Sequence, residues 1–128
     1  MKIDERIHFI TLNKMGSSLY SLIADGQHLA TSLSRSAWKE LIGSEASLQG
    51  RCNKQGINVV STDSSYSKAR IGILGQGSRG SKCHTCESRI GLGTGGKHDE
   101  SNTCGNEATG NPDNEDKHIK AMGYILVR

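Results

Sequence analysis

Apolar residues run along this chain in short bursts, each closed by a polar or glycine-containing turn. Arg6 to Leu12 (RIHFITL) mixes β-branched and aromatic residues in loose alternation, which predicts a first strand ended by the turn at Asn13 to Gly16. Leu19, Leu22 and Ile23 fit either a short helical face or a buried strand, and Asp25-Gly26 ends that segment. Ser36 to Leu48 (SAWKELIGSEASL) predicts a helix with Ser36 as N-cap and Trp38, Leu41, Ile42 and Leu48 on one face. The single tryptophan is its buried anchor, while Gly43 in mid-segment costs roughly 1 kcal/mol against Ala.

Two strands are predicted next, Gly56 to Val60 and Lys68 to Leu74, the second alternating Ala69, Ile71 and Ile73 against Arg70 and Gly72. From Gly75 to Asp116 hardly an apolar run exceeds two residues, which predicts a long irregular Gly- and Asn-rich loop region. Ile119 to Val127 (IKAMGYILV) then reads as a terminal strand. The order predicts an α+β fold, an antiparallel sheet with one or two short helices. It divides one domain into a lead-in (1–17), helix and strands (18–74), a stapled loop region (75–116) and a terminal strand (117–128).

Composition narrows the classes. At 128 residues, 34% hydrophobic and with sixteen glycines, the chain supports one modest core and many turns. Sixteen basic and 13 acidic residues give a net charge of +3 without a basic run, which speaks against a nucleic-acid partner. No stretch approaches the roughly 20 apolar residues of a membrane-spanning helix, so membrane insertion is not expected. The N-terminal residues lack the apolar core of a signal peptide, so an extracellular reading makes this chain a fragment or one with an incomplete N-terminus.

Local chemistry concentrates in the loop region. Gly75 to Gly80 and Gly91 to Gly96 each match G-x-G-x-x-G, but neither match is followed by the helix that a dinucleotide site needs, so the glycines read as turn residues. Cys83-His84-Thr85-Cys86 has zinc-knuckle spacing, with Cys104, His98 or His118 available to complete a tetrahedron. Cys52, Cys83, Cys86 and Cys104 also suffice for two disulfides, and a redox pair or free thiols are a third outcome. The segments HDESN, GNE and NPDNED offer the carboxylates and amides that hard cations such as Ca²⁺ take. The scattered histidines and the missing nucleophile motif do not suggest an enzyme.

The segments WKELIGSEASLQGRCNKQGINVV, SKARIGILG, CHTCESRIGLGTGG, DESNTCGNEA and DNEDKHIKAMGYILVR together resemble the C-terminal module of cnidarian (coral and sea-anemone) extracellular proteins related to the skeletal organic matrix. Those modules are similar in organisation to fibrinogen-related and intelectin-like lectins. The resemblance implies a secreted, disulfide-containing, non-enzymatic module that binds a glycan or matrix component, with Ca²⁺ held in the late loops. The alternatives are an intracellular thiolate-zinc interaction module, with Zn²⁺ on the cysteines, or a purely structural matrix domain. The corresponding expectations are metal ligands at Asp99, Glu107, Asp113 and Asp116, ligand contacts from His98, Asn102, Asn106 and Asn114, and bridges among the four cysteines. One departure is plain: no aromatic residue lies between Tyr66 and Tyr124, where a lectin pocket would flank its sugar.

Overall fold

The computed structural model describes residues 1–77 and 82–127; the end of the first glycine motif, Ser78-Arg79-Gly80, lies outside them. A hairpin of β1 (Lys2–Ile3) and β2 (Arg6–Ile7) leads into α1 (Leu19–Ile23), β3 (Leu29–Ala30) and α2 (Arg35–Glu40). Five further strands follow: β4 (Arg51–Val60), β5 (Lys68–Gln76), β6 (Ser88–Gly95), β7 (Cys104–Ala108) and β8 (Lys117–Lys120). Strands β3 to β8 form one antiparallel sheet in chain order, a meander in which each strand pairs with the next. The α+β class therefore holds.

The ambiguous apolar segment is the helix α1, started by a reciprocal capping box between Ser18 and Ser21. Helix α2 is capped by Ser34, whose hydroxyl accepts from the Ala37 N–H, two residues earlier than the expected Ser36. It stops at Glu40 because Gly43 takes the left-handed backbone (φ +100°) that commonly ends helices. Leu48 is thus buried on an extended segment rather than on the helix. Trp38 is 0% exposed, as expected of an anchor, and packs with Leu41, Ile42 and Leu48 on Ile57, Ile71, Ile73 and Ile90 of the sheet. Its indole N–H donates to Gln55 Oε1 at 2.8 Å, which satisfies the polar edge of a buried ring.

Three expectations need correction. The strand expected over Arg6 to Leu12 is only β2, two residues long, because the turn at Asp4 (φ 54°) pairs it with a β1 that offers only Lys2 and Ile3. The terminal strand stops at Lys120: Met122 leaves β7 and exchanges hydrogen bonds with Lys2 (2.8 and 3.0 Å). Most importantly, the region 75–116 is no loop, since β6 and β7 lie inside the sheet. Strand β6 is concealed because glycine, not an apolar residue, fills its alternate positions, and β7 because its buried residues are polar.

That glycine usage is positional. Gly56, Gly72, Gly91 and Gly105 are paired in register across β4, β5, β6 and β7. At each of them a neighbouring strand's carbonyl oxygen occupies the place of a Cβ: Leu29 O at 2.0 Å, Ile90 O at 2.4 Å, Ile71 O at 2.2 Å and Ile119 O at 2.0 Å respectively. The row is a seam of backbone-to-backbone packing. It lies on the sheet face opposite the main core, beside a smaller cluster of Val59, Leu74 and Cys86.

A polar clamp joins the end of the meander to α2. Asp113 accepts from Arg35 Nη2 (2.8 Å), Lys39 Nζ (2.6 Å) and the Leu48 N–H (3.0 Å). Partial burial alone would raise this carboxyl, but the bonds from Lys39, Leu48 and Arg35 outweigh it and bring the pKa down to about 2. A depressed pKa gives stability that is complete above the usual carboxylate range and is lost as pH falls through about 2. Asp113→Asn is expected to cost about 1–2 kcal/mol at neutral pH, after discounting for an ion pair one-third exposed, and to flatten the loss of stability between roughly pH 4 and 2. Urea denaturation of both proteins across that range checks this.

Candidate functional site

The row Leu74, Arg89, Glu107 and His118 runs across β5 to β8 in register. Glu107 is 2% exposed, and a buried carboxylate requires partners. Asn102 Nδ2 donates to its Oε1 at 3.0 Å, and His118 Nδ1 lies 2.7 Å from its Oε2. The His118 side chain is 60% exposed, so the carboxylate orients a ring that faces solvent.

Asp99 arrives from the segment after β6, which Arg89 holds in place. The guanidinium, 1% exposed, donates from Nη1 to Ser67 Oγ and to the carbonyls of Gly96 (3.1 Å) and Lys97 (3.2 Å). Its Nη2 donates to the carbonyls of Asp99 (2.6 Å) and Asn102 (3.1 Å). Burial pulls the Arg89 pKa down, against the opposing charges of Glu107, Asp99 and Glu100. The Asp99 carboxyl is lowered chiefly by hydrogen bonds from the Ser101 hydroxyl and N–H, with smaller help from Lys120 and His118.

Asp99, Glu107 and His118 each offer one ligand atom, all within 4.8 Å of one another. Of the four expected carboxylate ligands, the structure brings together only these two. Asp113 is committed to Arg35 and Lys39, and Asp116 stands exposed outside the cluster. Two carboxylates and an imidazole are also a poorer match to Ca²⁺, which takes six to eight oxygens, than to a borderline ion such as Zn²⁺.

The expected ligand-contacting amides have internal roles. Asn106 is buried and bridges Ser47 to Arg89, with its Oδ1 accepting from the Ser47 N–H and its Nδ2 donating to both residues' carbonyls. Asn114 donates to the Ser44 and Ala46 carbonyls, and Asn102 positions Glu107. His98 pairs with Glu87 Oε2 at 2.8 Å. Its ring meets Tyr66 edge-on at 6.4 Å, and Lys97 Nζ lies 4.8 Å from the Tyr66 centroid. An aromatic therefore does stand beside the segment that carries Asp99, brought from the β4–β5 connector.

The cysteines also depart from the two-bridge expectation. Cys52 and Cys83 form a disulfide, whereas Cys86 and Cys104 are free thiols. Burial raises both thiol pKa values; at Cys86, Ser61 and Lys54 oppose it. For the knuckle, the third sulfur that the fold supplies is Cys52, not Cys104, and neither His98 nor His118 joins the group. Among the described residues no helix is long and apolar enough to cross a membrane.

No family model matches the chain, and neither a curated protein nor a solved structure matches it. The resemblance to cnidarian matrix proteins and lectins accordingly rests on the sequence segments alone.

Proposed function

We propose that the chain is a non-enzymatic, secreted binding module that docks a glycan or extracellular-matrix polymer through a divalent cation held at the β7–β8 end of the sheet. The observation that carries this reading is the convergence of Asp99, Glu107 and His118 within 4.8 Å, with the central carboxylate buried and oriented by Asn102. Two carboxylates leave a divalent ion nearly neutral, and the exposed side of His118 leaves room for hydroxyl or anionic groups of a partner to enter its coordination. The Cys52–Cys83 disulfide is consistent with an oxidising compartment.

Calorimetric titration of the chain with Zn²⁺, Mn²⁺ and Ca²⁺ tests the ion. One site is expected, weakened at least about tenfold by His118→Ala, since even an outer-shell partner of a metal ligand is worth about 10- to 100-fold, and unaffected by Asp116→Asn. Retention on immobilised glycans and matrix polymers tests the partner. Retention abolished both by chelator and by His118→Ala supports the reading; no retention, or retention indifferent to both, overturns it.

A further inference from the structure

The second cluster of ligand atoms, Cys52, Cys83 and Cys86, lies apart from that site, between the start of β4 and the turn before β6. Cys86 Sγ stands 3.8 Å from Cys52 Sγ, and all three sulfurs lie within 4.8 Å of one another. Thiolates bound to Zn²⁺ at about 2.3 Å in a tetrahedron stand about 3.8 Å apart, so the Cys52–Cys86 pair already has the spacing of a metal-site edge. Only the bonded pair, Cys52 and Cys83, has to separate.

The scaffold around the sulfurs does not depend on the disulfide. The Cys83 carbonyl accepts from the Thr62 N–H (2.8 Å), the His84 carbonyl from Asp63 (2.9 Å) and the Cys86 carbonyl from Ser67 (3.0 Å). Gln76 Oε1 accepts from the Thr85 N–H at 3.1 Å. With three such bonds to the β4–β5 connector and one to the end of β5, the turn stays in place when the sulfur–sulfur bond opens. The Lys54 N–H also points at Cys52 Sγ (3.3 Å), the kind of donor that supports a metal-bound thiolate.

We propose that the reduced chain binds one soft divalent ion, Zn²⁺ or Cd²⁺, through the thiolates of Cys52, Cys83 and Cys86, and that the disulfide is the closed, metal-free form of the same site. A dithiol gives two electrons and two protons to the Cys52–Cys83 bond and itself closes to a disulfide. The three thiols then release three protons as three metal–sulfur bonds form, leaving a fourth position for water. Thiolate softness selects these ions over Ca²⁺ or Mg²⁺.

The test is a Cd²⁺ titration of the full chain after reduction by a water-soluble phosphine, which takes oxygen from water and leaves as its oxide. One thiolate-bound Cd²⁺ per chain is expected, read by thiolate-to-metal charge-transfer absorption that the oxidised chain, left with the Asp99–Glu107–His118 cluster, does not develop. Cys86→Ser should weaken binding by about 10- to 100-fold or more, while Cys104→Ser and His118→Ala leave the absorption unchanged. If reduction unfolds the chain, Cd²⁺ should restore its circular dichroism in the wild type but not in Cys86→Ser. Absorption that persists in Cys86→Ser, that disappears in Cys104→Ser, or that never develops in the reduced wild type would overturn the proposal, as would Cd²⁺ binding without refolding.

Discussion

Gly91→Ala is expected to destabilise the protein by about 4 kcal/mol or more. The added methyl would sit 2.2 Å from the Ile71 carbonyl oxygen and 2.8 Å from Gly72 Cα, both backbone atoms of a strand paired on its two sides. Neither atom can retreat without breaking ladder hydrogen bonds to β4 or β6. The resulting loss is a large part of the roughly 5–15 kcal/mol by which small domains are stable. Gly95→Ala is the control on the same strand: its methyl would meet only the flexible end of Lys68 at 3.2 Å, so the change should stay within about 1 kcal/mol. Thermal unfolding of the two variants separates a seam that needs bare backbone from a general intolerance of side chains in β6. Equal effects would show that the seam is not what matters.

Arg89→Met should have the next largest effect. Methionine fills much of the space but removes the guanidinium donors to the carbonyls of Gly96, Lys97, Asp99 and Asn102, and leaves Glu107 without the nearby positive charge. Removing one partner from a buried charge network costs about 3–5 kcal/mol, against about 1 kcal/mol for an exposed pair. Because the guanidinium holds the segment that carries Asp99, metal binding at the Asp99–Glu107–His118 cluster should fall even under conditions where Arg89→Met remains folded. Urea denaturation gives the first effect and calorimetry the second. A variant that keeps full metal affinity would mean that the segment 96–102 holds its shape without the clamp.

The sequence made some elements plain and hid others for identifiable reasons. Strands β4 and β5 announced themselves through β-branched alternation, and Trp38 through being the chain's largest apolar side chain on a capped segment. Strand β6 was hidden because Gly91, Gly93 and Gly95 take the positions where apolar alternation would be read. Strand β7 (CGNEA) was hidden because its buried residues are polar: Asn106 is satisfied by Ser47 and Arg89, distant in sequence, and Glu107 by Asn102 and His118 from the flanking segments. Of the candidate site, the residue types were legible but their grouping was not. His118 joins Glu107 through sheet register, Asp99 joins them through Arg89, and Asp113 is drawn off by two cations of α2; none of these pairings has a local signature. Two glycine motifs that resemble phosphate loops were the nearest visible sign that the backbones here approach one another closely.

The chain-order meander also dictates how the molecule must assemble. Strands β4 to β8 each meet a sequence neighbour, so every pairing closes a short loop and the sheet can zip from one hairpin to the next at small entropic cost. Asp113, by contrast, meets Arg35 and Lys39 across 78 and 74 residues. Those contacts become affordable only after the intervening strands have shortened the path between them. The clamp is therefore a late event, a latch on a finished sheet, so its loss should accelerate unfolding and leave the folding rate almost unchanged.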